Sequence, residues 1–270
     1  MAPSSPFRMK TRQHTRSNSL TSRKHPVLTQ FNEHLSRFGE TEATTNSLTS
    51  LGHKLSGLQD LYVSVDDMIQ MSHIQQSLTS VQESNKKVTD DVLDTYIKIL
   101  DACTSTKDIF SQAKHDVQEL LSSLRRRKDA TDASGKYLAS RKKAKKAILK
   151  TLKDLKNVKI SEGADQLEAI SLLYNVQSVT ICVLESSLAY VMGTKAHSSL
   201  VSKIMHKKCK EASTNEFDQM NEALGVEDTE SIQRQMGKME LRIQDIEEGI
   251  DCLFKHLIKT RVSLLNMLTY

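Results

Sequence analysis

A cluster of basic side chains near the middle of this sequence has the residue types and spacing of a binding face. Residues 125–159 contain fourteen Lys or Arg residues and three Asp residues. Clustered cationic groups attract phosphates and carboxylates, and beside an acidic lipid leaflet each contributes about 1 kcal/mol. The sequence therefore predicts a docking face for an anionic partner. Its candidate residues are Arg141, Lys142, Lys143, Lys145, Lys146, Lys150 and Lys153.

Three kinds of anionic partner fit this basic segment, and one structural role competes with them. The partner is an acidic membrane surface or phosphoinositide headgroup, an acidic protein surface, or nucleic acid. Nucleic acid fits worst, because Tyr137 is the one interleaved aromatic residue and no recognisable binding fold accompanies the segment. In the structural alternative, the basic helix packs beside the acidic C-terminal helix, and its lysines are solvated or salt-bridged. Residues 211–251 supply twelve acids against three basic residues.

The N-terminal tail contains two positions suited to a basic-directed kinase. Residues 1–26 include six Lys or Arg residues and no acid, and so little apolar surface that we predict disorder. Arg12 lies three residues before Thr15, and Arg16 lies three residues before Ser19. Phosphorylation adds about 1.5 to 2 negative charges per site and would offset part of the positive charge of the tail. Thr15 and Ser19 are therefore candidate phosphorylation sites.

No set of residues is spaced for catalysis, a metal ion or a cofactor. His206 and Cys209 have the spacing of a ligand pair, but no second pair completes a tetrahedral site. Asp66 and Asp67 lack a third group that would separate their pKa values, so we expect them to face solvent or form polar contacts. The sequence has no glycine-rich phosphate loop, nucleotide fingerprint or serine elbow. We expect a non-enzymatic protein without a cofactor.

The helices that would position these residues show most clearly in two heptad seams. In each seam the steps alternate between four and three residues, the spacing of the packing stripe along a long helix. A heptad does not say whether its stripe is covered within the chain or by a partner. The first seam is Val92, Tyr96, Ile99, Cys103, Thr106, Phe110, Ala113, Val117, Leu120 and Leu124; the second is Ile232, Met236, Met239, Ile243, Ile246, Ile250, Leu253, Leu257, Thr260, Leu264 and Met267.

The composition predicts an all-α fold. Proline occurs at positions 3, 6 and 26 alone, and tryptophan is absent, which favours long helices over sheets. We predict an elongated bundle of about six to seven helices in a single domain over residues 27–270, after a disordered basic Ser/Thr-rich tail over residues 1–26. The predicted helices cover residues 27–38, 46–71, 87–127, 136–157, 166–192, 197–224 and a C-terminal stretch after Gly225.

The sequence favours a cytoplasmic location. The most apolar region, residues 170–192, is interrupted by side chains such as Asn175, Gln177 and Glu185, so we predict a buried helix instead of a bilayer span. The N-terminus lacks the apolar core of a secretory signal. The lysine cluster adds a membrane-peripheral alternative. The Arg- and Ser-rich tail adds a plastid alternative, in which it is a transit peptide.

Several short phrases together resemble a plant-specific family of helical proteins, grouped with the BYPASS-like proteins, whose molecular function is unknown. They follow one another along nearly the whole chain. They are RSNSL at 16–20, RKHP at 23–26, LYVSVDD at 61–67, LRRR at 124–127, YLASRKKAKK at 137–146 and SLLNML at 263–268.

This resemblance implies an all-helical plant protein associated with root and shoot development, and it implies no reaction or catalytic residue. We therefore expect a non-enzymatic interaction or regulatory protein whose protein partner the sequence does not identify. Two alternatives remain open. One is a peripheral membrane or phosphoinositide-binding adaptor that uses the polybasic helix. The other is a self-associating coiled-coil scaffold.

Overall fold

The computed structural model describes residues 25–41, 47–79, 83–126, 130–158, 160, 168–193, 215–224 and 229–269. Within these ranges the chain forms eight helices and no strand, which confirms the all-α prediction. The helices are α1 (Pro26–Thr41), α2 (Leu48–Ile69), α3 (Ser72–Thr79), α4 (Glu83–Arg125), α5 (Ala130–Lys156), α6 (Glu168–Met192), α7 (Glu216–Ala223) and α8 (Thr229–Thr269).

Helix boundaries differ from the predicted ones mainly around α3 and α5. A turn at Gln70 ends α2, and α3 follows it in a region that none of the predicted helices covers. Helix α5 begins at Ala130, earlier than predicted, and runs through Gly135, where a Cβ would meet nothing within 4 Å. Of the predicted helix over residues 197–224, the described part is α7.

The two seams pack against each other in antiparallel directions. Arg261 Nε donates a hydrogen bond to the Leu93 carbonyl at 3.5 Å, and Cys103 Sγ donates to the Ile250 carbonyl at 3.6 Å. Every residue of the α4 seam is buried, as is every residue of the α8 seam except Met267, which is half-buried. The 43 residues of α4 and 41 residues of α8 each span about 60 Å, so the bundle is long.

Helices α2 and α6 complete a four-helix core with α4 and α8. Helix α6 runs parallel to α4, with Gln177 Nε2 donating to the Val92 carbonyl at 2.9 Å. Helix α2 runs parallel to α8, and the two approach closely at Gly249, where a Cβ would lie 3.1 Å from Leu55 Cδ1. Helix α1 packs on α2, and α5 packs on the outside of α4 and α6. This outer position determines which face of α5 meets solvent.

Candidate functional site

Helix α5 is amphipathic, with its apolar side against the bundle. Tyr137, Ile148 and Leu155 are buried there and form an inward stripe. Ser140 Oγ donates to Asp116 Oδ2 at 2.5 Å and ties α5 to α4. The opposite side of α5 is therefore presented to solvent in a fixed orientation.

Six predicted binding lysines occupy the exposed side of α5, which we call the lysine face. All six are exposed, and among the described residues none of them forms an ion pair or a side-chain hydrogen bond. Unpaired ammonium groups on one helix reinforce one another electrostatically and leave their charge available to an external anion. The lysine face consists of Lys142, Lys143, Lys145, Lys146, Lys150 and Lys153.

Where the structure describes the acids of the C-terminal segment, none forms an ion pair with the lysine face. Glu247 pairs with Lys114 of α4, and Asp251 pairs with Lys107 of α4 at 2.5 Å and with Lys255 of its own helix at 3.1 Å. The expected packing of the basic helix beside the acidic C-terminal helix is thus replaced by packing on α4 and α6. Of that structural alternative, only the expectation that the lysines are solvated still applies.

Arg141, the seventh predicted binding residue, does not belong to the lysine face. It is 4% exposed and points into the bundle from the same side as Tyr137. Its Nη2 donates to the Val191 carbonyl near the C-terminal end of α6, and its guanidinium lies 4.3 Å from the centroid of the Phe217 ring. Burial lowers the pKa of Arg141, although Tyr137 and Asp218 partly oppose this effect. Arg141 therefore connects α5 to α6 and α7.

The junction around Arg141 has a defined geometry. Gly193 follows α6 with φ of 76°, a left-handed conformation that favours glycine, and a Cβ there would also collide with the Asp218 carboxylate. Asn215 Nδ2 donates to the Tyr190 carbonyl at 2.8 Å, while its Oδ1 accepts from Asp218 N at 2.9 Å and caps α7. This junction fixes the start of α7 against the end of α6.

A polar layer between α2, α6 and α8 was not anticipated from the sequence. Asp66 on α2 is buried and contacts Lys259 Nζ at 2.8 Å and the Thr260 hydroxyl at 3.4 Å, which confirms the expected polar contacts for this residue. Tyr62 and Thr180 share a hydrogen bond of 3.0 Å, and burial raises the pKa of Tyr62 far above its usual value. Thr260 is the polar member of the α8 seam. That interruption was the one sequence signal for the layer.

Several candidate positions lie outside the described residues. These are the phosphorylation candidates Thr15 and Ser19 and the rejected ligand pair His206 and Cys209. Among the residues that are described, no group of three or more His, Cys, Asp or Glu side chains is arranged to hold a metal ion.

An open cleft of about 590 Å³ lies between α3 and the end of α8, and its lining contains no ionisable side chain. Gln70, Gln75 and Asn266 contribute to its uncharged polar walls.

Helix α6 is long and apolar enough to cross a membrane, but 72% of its most apolar window is buried by neighbouring helices. This burial agrees with α6 as a core helix.

The comparisons with known proteins give one match. No curated protein and no solved structure matches the chain. A family model described as Protein BPS1 matches residues 54–267, which include α4, α5 and α6, all of α8 but its last two residues, and the whole polar layer. Because this match covers well over half of the chain, it shows that the protein belongs to the BPS1 family, the BYPASS-like family that the sequence resembles.

Proposed function

We propose that this plant protein is a non-enzymatic interaction protein that docks on acidic membrane surfaces through its lysine face. The observation that supports this proposal is the set of six exposed lysines on a helix at the outside of the bundle, none of which pairs with another described residue. Helix α5 packs on α4 and α6, so the charges are presented together on its outer side. The family resemblance implies no enzymatic reaction that would compete with a binding role.

The size of the interaction follows from the number of charges. Each Lys near an acidic leaflet contributes about 1 kcal/mol, so six on one face are sufficient for reversible attachment. The attraction falls off within a Debye length of about 10 Å at 0.1 M salt, so the acids paired on α8 oppose it weakly. Reversible attachment agrees with a cytoplasmic protein that becomes membrane-peripheral.

A regulatory role in root and shoot development is the finer part of the proposal, and it draws on the family resemblance alone. The basic tail would add charge to the membrane contact. Phosphorylation at Thr15 or Ser19 would weaken that contact by adding negative charge. A plastid location applies instead if the tail is a transit peptide, and imaging of the full chain with and without residues 1–26 distinguishes the two.

The self-associating scaffold is less well supported. Both heptad seams are covered by each other within one chain, so neither needs a second copy to bury its apolar stripe. A molecular mass in solution that rises with protein concentration would support self-association.

Co-sedimentation with liposomes tests the membrane proposal. Full-length protein is mixed with phosphatidylcholine vesicles, with or without phosphatidylserine, across a salt series. We expect binding to the acidic vesicles alone, weakening as salt rises. A protein that stays in the supernatant with acidic vesicles at low salt contradicts the proposal. Capture by a soluble polyanion such as heparin, without vesicle binding, would redirect it to an acidic protein surface.

A further inference from the structure

Two exposed leucines lie among the lysines of α5. Leu138 is 40% exposed and Leu149 is 57% exposed, while the inward residues of the same helix are covered by α4 and α6. These are the two large apolar side chains on α5 that the structure leaves open to solvent. A leucine in water is unfavourable by about 25 cal/mol for each Å² of apolar surface, so a partner that covers both gains free energy beyond the charge term.

The two leucines lie on the same side of α5. They are eleven residues apart, which places them about 16 Å apart along the axis and within about 20° of each other around it. Lys142, Lys145 and Lys153 fall within about 60° of Leu138 on the same side. The outward side of α5 thus combines apolar side chains with cationic ones along about three turns.

This combination is typical of a helix that lies in the plane of a membrane interface. There, apolar side chains enter the headgroup and acyl boundary, and lysines extend their stems sideways to place the ammonium groups among phosphates. A soluble polyanion offers the phosphates without the apolar layer and would leave both leucines in water.

We infer that Leu138 and Leu149 insert into the acidic bilayer on which the lysine face docks, so that attachment has a salt-resistant apolar component. The inference rests on the proposed function and defines its ligand as an acidic bilayer. It separates bilayer docking from attraction to any anion, because the apolar component exists only where acyl chains are present.

Fluorescence gives a direct test, because the chain contains no tryptophan. In the variant Leu149→Trp, we expect the emission to shift to the blue on adding vesicles with about one acidic lipid in four, and brominated acyl chains to quench it. Leu241→Trp is the matched control: Leu241 is 65% exposed on α8, a different helix from the one that carries the lysine face. Its emission should stay that of a water-exposed ring.

Binding measurements on alanine variants complete the test. Leu138→Ala with Leu149→Ala keeps helix propensity and should weaken vesicle binding about 10-fold or more, with the largest loss at high salt. Leu241→Ala should leave binding unchanged. If the double variant binds as the wild type and Leu149→Trp shows no shift on bound vesicles, insertion is wrong while the proposed function stands. If the wild type binds no acidic vesicle, both are wrong.

Discussion

The guanidinium of Arg141 lies 4.3 Å from the centroid of the Phe217 ring, in contact with the end of α6 and away from the lysines that adjoin it in sequence. One residue in a basic run is thus a core contact, and its neighbours Lys142 and Lys143 are surface charges. The two kinds of residue should respond to substitution in different ways.

Substitution of Arg141 should destabilise the fold. Arg141→Ala removes the cation–π contact and the donor to the Val191 carbonyl and leaves a cavity, so we expect a loss of about 2 to 4 kcal/mol in the free energy of unfolding. Lys142→Ala should change it by less than about 0.5 kcal/mol. Urea unfolding of both variants measures the contrast. Equal stability of Arg141→Ala and the wild type would show that the buried arginine contributes nothing.

The hydroxyl groups of two buried tyrosines should contribute differently to the stability of the fold. Tyr62→Phe removes the hydrogen bond to Thr180, and we expect a loss of about 1 kcal/mol. The Tyr96 hydroxyl is buried and has no partner among the described residues, so Tyr96→Phe should be neutral or stabilising. Thermal unfolding followed by circular dichroism compares the two. A larger loss for Tyr96→Phe would mean that its hydroxyl has an unseen partner.

Two glycines of α8 should respond differently to alanine. A Cβ at Gly237 meets nothing within 4 Å, so Gly237→Ala should stabilise the helix by up to about 1 kcal/mol. A Cβ at Gly249 would lie 3.1 Å from Leu55 Cδ1 and 3.2 Å from Leu55 Cβ, so Gly249→Ala should lose that gain and push α2 away from α8. The midpoint of urea unfolding measures both. Equal gains would contradict the close approach of the two helices.

Glu185 on α6 should make stability depend on pH. It is buried, its Oε1 has no partner among the described residues, and burial raises its pKa, with Lys156 opposing the shift. A carboxyl whose folded pKa is raised loses stability as pH rises from the unfolded pKa through the folded one. Glu185→Gln should therefore be more stable than the wild type at pH 7, and the difference should vanish near pH 4. A constant difference across this range would assign it to packing.

Much of the fold followed from local pattern, because heptad spacing over ten or more residues defines a buried stripe regardless of its partner. The outward lysines were predictable because they lie on the side of α5 opposite its apolar residues. Arg141 was misplaced although the signal existed: seven residues back from Ile148 along the inward stripe is position 141. The sequence prediction placed Arg141 on the solvent side because charged side chains usually face solvent.

Other features required the tertiary structure. The antiparallel pairing of α4 with α8 depends on which stripes cover each other, and no spacing within either helix contains that information. The polar layer brings together Asp66, Lys259 and Thr260 from two helices far apart in the chain. From the sequence, Asp66 showed only as half of an acidic pair.

The central claim is that the lysine face, and not net charge, binds acidic membranes. Two fourfold charge reversals to Glu change the net charge equally. One replaces Lys142, Lys143, Lys145 and Lys146; the other replaces Lys87, Lys98, Arg234 and Lys238, which are exposed elsewhere.

The measurement is the partition of both variants and the wild type onto acidic vesicles at about 0.1 M salt, where distant charges are screened. We expect the lysine-face variant to bind about 100-fold or more weakly than the wild type, and the control variant to retain most of the binding. Equal losses in the two variants, or no binding by the wild type, would contradict the account.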